Sequence, residues 1–246
     1  MDEGEAHMMT VLAKSDSFVH AFTFIGDNQH LMWEKTLAHL KISFASVAVA
    51  ILLAVPLGVW LGHLHRGSFF AINVSNIGRA LPSLAVISIG IGILGIGFTN
   101  VLVALVILAG PVILTNAYVA VDGVDRNAVQ AAYAMGMKQW QVLLRVEIPL
   151  ALPLIFAGIR TATVYVVATA TLATFAGGGG LGDIIVNQAS YGVSGVVAGS
   201  LFITALAFLV DGILALVQRV ITPAPLRPKW GLGRRSQQVR AATESI

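Results

Sequence analysis

The run Val129–Arg160, VQAAYAMGMKQWQVLLRVEIPLALPLIFAGIR, is the longest break in an otherwise apolar chain. It opens with small residues at Ala131, Ala132, Ala134 and Gly136, continues as an amphipathic stretch carrying Lys138 and Arg145, and closes on Pro149 and Pro153. A connection that needs only to be polar and flexible has no use for such a layout. The spacing predicts two short helices. Asn127 and Gln130 have the layout of a capping box, with Asn127 as N-cap and Gln130 at the third helical position. Gly136 is placed to end that helix in a left-handed turn. A second helix is predicted over Met137–Glu147, with Trp140, Leu143 and Leu144 on one side and Pro149 stopping it. An amphipathic helix lying on lipid headgroups explains the apolar side, whereas the cluster of small residues points to close docking against a partner.

The rest of the 246 residues sets this run in a membrane. Charged residues make up 11% and hydrophobic residues 57%, with a mean hydropathy of +0.83. A soluble domain carries about 25% charged residues, so too few are present to cover a water-exposed surface. There is no cysteine, which excludes disulfides, thiol catalysis and thiolate metal sites. The acidic start MDEGEAHMMTVLAKSD lacks the basic-then-apolar layout of a cleaved signal. The net charge of +3 fits cytoplasmic loops better than nucleic acid.

Charge-free windows predict an all-α integral membrane protein with five spans, at about 42–64, 80–94, 100–121, 153–176 and 196–220. Pro82 marks the start of the second span, and the turn into the third falls among Gly92, Gly95, Gly97 and Asn100. Residues 37–221 form the membrane domain and 122–150 its central loop. Residues 1–36, including FVHAFTFIG, read as an interfacial or partly disordered extracytoplasmic segment. Residues 222–246 read as a flexible, solvated, basic tail with Arg227, Lys229, Arg234, Arg235 and Arg240. Gly92–Asn100 and Gly177–Gly195 carry no Lys or Arg, while Arg66, Arg79, Arg126, Lys138, Arg145 and the tail lie on the other side. The positive-inside rule then places loop and C-terminus in the cytoplasm and the N-terminus outside, in a multi-pass cell-membrane protein.

Catalytic chemistry is sparse, and no catalytic residue is assigned. His63 and His65 do not share a helix face and read as interfacial histidines, with a metal site the less favoured alternative. Gly177–Gly180 lacks the Lys-Ser/Thr of a phosphate loop and reads as a helix terminator and hinge. Ionisable residues inside spans point to function. Arg160 and Asp211 fall at similar depth and are expected either to pair across a helix interface or to reach water separately. Thr161, Tyr165 and Thr169, at spacings of four, would form one polar face of a solute path; back-bonding to the helix itself is the alternative.

The loop resembles the coupling loop of permease subunits of binding-protein-dependent ABC importers: Glu-Ala-Ala, three residues, Gly, about eleven residues, then Ile/Leu-Pro. Here it reads Gln130-Ala131-Ala132, Gly136, Ile148-Pro149, with Gln130 in place of Glu. That replacement removes a charge and keeps length and capping ability. The resemblance runs over about residues 37–220. GRALPSLAV (78–86), AGIRTATVYVVATATLATFAGGGGLGDII (157–185) and LALVQRVITP (214–223) are most similar to the subgroup importing glycine betaine, carnitine and choline. The resemblance implies the type I importer permease fold and no cofactor on this chain, with ATP and Mg bound by a partner. It also implies docking of an ATPase subunit at Gln130, Ala131, Ala132, Gly136, Met137, Trp140, Ile148 and Pro149, a second permease copy or paralogue, an extracytoplasmic substrate-binding protein, surrounding lipid, and no nucleic acid. A different cargo (amino acids such as methionine, or polyamines), an ion-coupled carrier or channel, and a scaffold subunit without transport are the competing expectations.

Overall fold

The computed structural model describes residues 18–65 and 67–222; the basic tail from Pro223 lies outside them. After a first helix over residues 18–27, α1, come α2 (Gln29–His63), α3 (Ser68–Ala80), α4 (Ser83–Leu94), α5 (Phe98–Asp122), α6 (Arg126–Ala134) and α7 (Gln139–Val142). A π-helical turn at Leu143–Glu147 leads into α8 (Ile148–Thr169), a 3-10 stretch (Ala170–Ala176), α9 (Gly182–Val186) and α10 (Gln188–Ile221). Four continuous helical segments, Gln29–His63, Phe98–Asp122, Gln139–Ala176 and Gln188–Ile221, are long and apolar enough to cross a membrane, and Ser83–Leu94 is a shorter apolar helix. Among the described residues the protein is all-helical, with four long apolar helices and one shorter one.

α2, α5 and α8 form the centre, and the packing logic is that of a membrane bundle. Ala50, Ala54, Gly58 and Gly62 recur every four residues and are all buried. They make a smooth ridge that lets the α5 backbone approach closely. A Cβ on Gly58 would lie 2.6 Å from the Leu114 carbonyl oxygen, and one on Gly62 would lie 2.8 Å from that of Tyr118. Small and polar residues of α2, among them Thr36, His39, Ser43 and Ser46, face inward, while Leu52 and Leu53 face outward. Thr36, Ser43 and Ser46 donate to carbonyls four residues earlier, and His39 Nε2 donates to the Val167 carbonyl of α8 at 2.8 Å. In hydrocarbon each such group needs a partner inside the protein, so large apolar side chains take the outer faces.

Pro82 caps α4, and the turn into α5 runs through Gly95 and Gly97, both at positive φ. Gly97 N–H donates to the Ala176 carbonyl at 2.7 Å, tying this turn to the end of the 3-10 stretch. Asn100, expected in the turn, lies buried on α5 and donates to the Ile87 carbonyl of α4.

At three places the helices run beyond the expected bounds. FVHAFTFIG, expected to be interfacial or partly disordered, is helical throughout: Ala21 is fully buried, and Phe24 meets Tyr191 edge-on at 6.3 Å. The first long helix starts at Gln29, well before residue 42, because its polar N-terminal third packs through Met32, Thr36 and His39. The last long helix starts at Gln188 rather than 196, with a break at Gly192 (φ 65°) that charge counting cannot reveal. The Gly177–Gly195 segment therefore contains α9 and a helix start, with Gly177 (φ 68°) terminating the preceding helix.

Candidate functional site

The loop between α5 and α8 is held by its own short-range bonds. Asp125, not Asn127, is the N-cap of α6, its carboxylate accepting from the Asn127 N–H at 3.0 Å. Helix thus begins at Arg126 and Gln130 is not at its third position; Asp and Asn cap about equally well, and the non-helical backbone at Asp125 (φ −55°, ψ 118°) puts the cap there. At the other end the Gly136 N–H donates to the Tyr133 carbonyl and the Met137 N–H to the Ala132 carbonyl, at 2.9 and 3.2 Å. These paired bonds with Gly136 at φ 82° make a Schellman turn. The Gln141 side chain then accepts from the Lys138 N–H at 2.8 Å and starts α7.

Pro149 does not stop the second helix. From Gln139 the helix continues to Ala176 through the π turn, where the Ile148 N–H reaches back to the Leu143 carbonyl. Pro149 follows as the second residue of α8, and the wide π turn just before it accommodates its ring and its missing N–H within the continuous helix. The loop's second helix and the fourth span are one rod, interrupted by a wide turn.

Burial divides the loop into two faces. Ala132, Val142 and Glu147 point into the bundle, while Tyr133, Met135, Trp140 and Leu144 are exposed. Of the expected docking residues, Gln130, Ala131, Gly136, Trp140 and Pro149 lie on the surface and Met137 and Ile148 are half-buried. Ala132 is 1% exposed and supports the loop from beneath. Leu143, expected beside Trp140, packs inward against the buried cluster that includes Val121, Ala151 and Ile155.

Beneath the loop, His63 at the end of α2 donates from Nδ1 to Glu147 Oε2 at 2.6 Å, with both side chains almost wholly buried. Two residues on, His65 Nδ1 donates to Asp122 Oδ1 at 2.8 Å in a much more open setting. The two histidines bond carboxylates of different elements, and among the described residues no group of three or more His, Asp or Glu could hold a metal. Sequence reading passed over Glu147; a lone acid in the apolar run RVEIPLAL was its only signal.

Arg160 and Asp211 come together. The guanidinium donates from Nε and Nη2 to the two carboxylate oxygens, at 2.6 Å each, in a bidentate fork. The planned polar face is broken up: Thr161 and Tyr165 are exposed, whereas Thr169 is 8% exposed and turned into the core. Thr161 and Thr163 back-bond to Ala157 and Ile159. At the opposite end from the loop, Lys35 of α2 and Asp183 of α9 pair at 2.7 Å.

Residues 54–223 match the family described as binding-protein-dependent transport system inner membrane component. The chain belongs to that family. It is a multi-pass membrane permease subunit of an ABC importer, a transport component whose ATPase is a separate subunit. It is 41% identical over 206 residues to the Bacillus subtilis (strain 168) glycine betaine/carnitine/choline transport system permease protein OpuCB, covering 83% of this chain and 95% of that one. It is 39% identical to the same organism's choline transport system permease protein OpuBB, covering 85% and 96%. Against the osmoprotectant import permease protein OsmY of Salmonella typhimurium it is 34% identical, covering 75% and 80%. Among solved structures, an inward-facing form of the MetNI methionine ABC transporter superposes with TM-score 0.70 at 22% identity, covering 79% of this chain and 98% of that one. That likeness supports the type I importer permease fold. The loop thus has an outer face bearing Tyr133, Met135, Trp140 and Leu144 and a buried His63–Glu147 underside.

Proposed function

We propose that this permease provides the membrane path for a quaternary-ammonium compatible solute, such as glycine betaine, choline or carnitine, by alternating access. The observation that carries the solute class is the 41% identity, across most of both chains, to a permease named for these three solutes. The mechanism is read from the loop. A separate ATPase subunit grips the exposed face around Gln130, Ala131, Gly136, Trp140 and Pro149, with Met137 and Ile148 at its edge. ATP and Mg act on that subunit. Because α7, the π turn and α8 form one rod, a displacement of the loop moves α8 directly. The His63–Glu147 bond passes part of the same displacement to α2.

The loop and the C-terminus face the cytoplasm and the N-terminus faces outward, as the Lys/Arg distribution indicates. Lys35 on the outer side is offset by Asp183. Two permeases, identical or paralogous, act together, and an extracytoplasmic binding protein delivers the solute. Its aromatic side chains, through cation–π attraction, are the expected source of most of the selectivity. Gln130, where the family pattern has Glu, leaves docking to apolar and backbone contacts.

The test is uptake of radiolabelled betaine, choline, carnitine, methionine and a polyamine by proteoliposomes holding permease, ATPase and binding protein. ATP-dependent uptake confined to the quaternary amines is the expected result. Uptake of methionine or polyamine alone would overturn the solute class, and uptake without ATPase would overturn the importer mechanism.

A further inference from the structure

The Arg160–Asp211 fork has more binding capacity than it uses. Arg160 lies twelve residues into α8 from Ile148 and Asp211 ten residues before the end of α10. At a rise of 1.5 Å per residue, these positions are about 18 and 15 Å from the loop-side helix ends, near the middle of a hydrocarbon core about 30 Å thick. A charge pair sealed between helices at that depth would be explained by packing alone. This one is not sealed: the side chains are 33% and 35% exposed and border a cavity of about 430 Å³ lined by Ala157, Arg160, Thr161, Val164, Asp211 and Gln218. Lipid is a poor neighbour for such a surface, so the cavity belongs on a watered path.

A guanidinium has five N–H groups, and Asp211 takes one from Nε and one from Nη2. Among the described residues, the rest of the guanidinium edge has no acceptor, and it borders the cavity. Asp211, whose carboxylate oxygens have lone pairs to spare, lines the same cavity. Gln218, whose amide donates to the Pro153 carbonyl at 3.1 Å, forms the wall toward the loop. A single residue pair thus presents a donor edge and an acceptor edge next to one another.

We propose that this cavity is a mid-membrane relay site for a small zwitterion bearing both a carboxylate and a quaternary ammonium. The carboxylate binds the free edge of Arg160, and the ammonium rests against Asp211. The Arg160–Asp211 bond holds the two charges ready when the site is empty, which keeps an isolated charge from facing the bilayer. A cation without a carboxylate uses Asp211 alone. The inference rests on the solute class proposed above and adds to it a site on this chain, separate from the binding protein.

The experiment compares betaine and choline uptake in proteoliposomes holding the full importer, each variant scaled to wild type for the same solute, so that discrimination by the binding protein cancels. Arg160→Gln is expected to lower betaine uptake at least tenfold more than choline uptake, with ATP hydrolysis still stimulated by the binding protein. The double variant Arg160→Gln/Asp211→Asn leaves no unpaired charge and protects folding. It is expected to lose at least tenfold for both solutes with assembly intact. Equal loss of both solutes in Arg160→Gln, or near-wild-type uptake in the double variant, would show a structural ion pair and overturn the site. Wild-type importer that carries neither solute would instead overturn the solute class on which the site rests.

Discussion

The two histidines at the end of α2 offer a controlled comparison. His63 and Glu147 are 8% and 2% exposed, whereas His65 and Asp122 are 47% and 38% exposed, at nearly equal distances of 2.6 and 2.8 Å. A hydrogen bond to a charged group is worth about 1.5–3 kcal/mol, and a buried group left unpartnered costs about 1–3 kcal/mol. Glu147→Ala, which orphans a nearly buried imidazole, is therefore expected to cost about 2–3 kcal/mol. His65→Ala breaks an exposed pair and should cost about 0–1 kcal/mol. For a chain of this size each kcal/mol moves an apparent midpoint by roughly 2–4 °C. Thermal scans of the purified importer should then show a drop of about 4–12 °C for Glu147→Ala and at most about 4 °C for His65→Ala. In His63→Ala/Glu147→Ala nothing is orphaned, so the double loss should fall clearly short of the sum of the single losses. The same double variant should hydrolyse ATP normally while transporting fewer solutes per ATP, because α2 no longer follows the loop. Strictly additive losses, or equal shifts for the buried and exposed pairs, would refute the reasoning.

Gly58→Leu should insert into the membrane yet fail to give a folded permease, since even a Cβ there would stand 2.6 Å from the Leu114 carbonyl; protease resistance of the purified chain would measure this. Gly136→Val, which forces a β-branched residue to φ 82°, is expected to cost about 1–2 kcal/mol and to abolish uptake while membrane insertion remains normal. Trp140→Ala, on an exposed ring, should leave the permease's own thermal midpoint unchanged and at least halve the ATPase that co-purifies with it. Ala132→Asp is a less informative probe of docking, because it buries a carboxylate under the loop and should collapse the loop itself.

The apolar segments and the loop were legible in the linear chain. In a bilayer, hydrophobicity along the sequence is itself a coordinate, whereas the ridge of Ala50, Ala54, Gly58 and Gly62 emerged only with α2 packed on α5. The turn at Gly136 was legible for a similar reason, as a local backbone geometry that glycine accepts at no steric cost. Arg160 and Asp211 could be matched by depth, because few charges occur within the spans and each has few possible partners.

What only the tertiary structure decided depends on competition or on distance. Asp125 displaced Asn127 as the cap because two candidates of equal capping strength, two positions apart, differ only in where the chain enters the helix. Pro149 did not end a helix because the π turn before it had already shifted the bonding pattern. Thr169 turned inward and Ala132 turned beneath the loop, since burial depends on which neighbours arrive and not on periodicity. The His63–Glu147 bond joins residues 84 positions apart, and nothing local at either residue specifies the other. The sequence by itself determined that this chain lies in a membrane and carries a structured loop between its spans; packing decided which residues of that loop are exposed and which turn into the bundle.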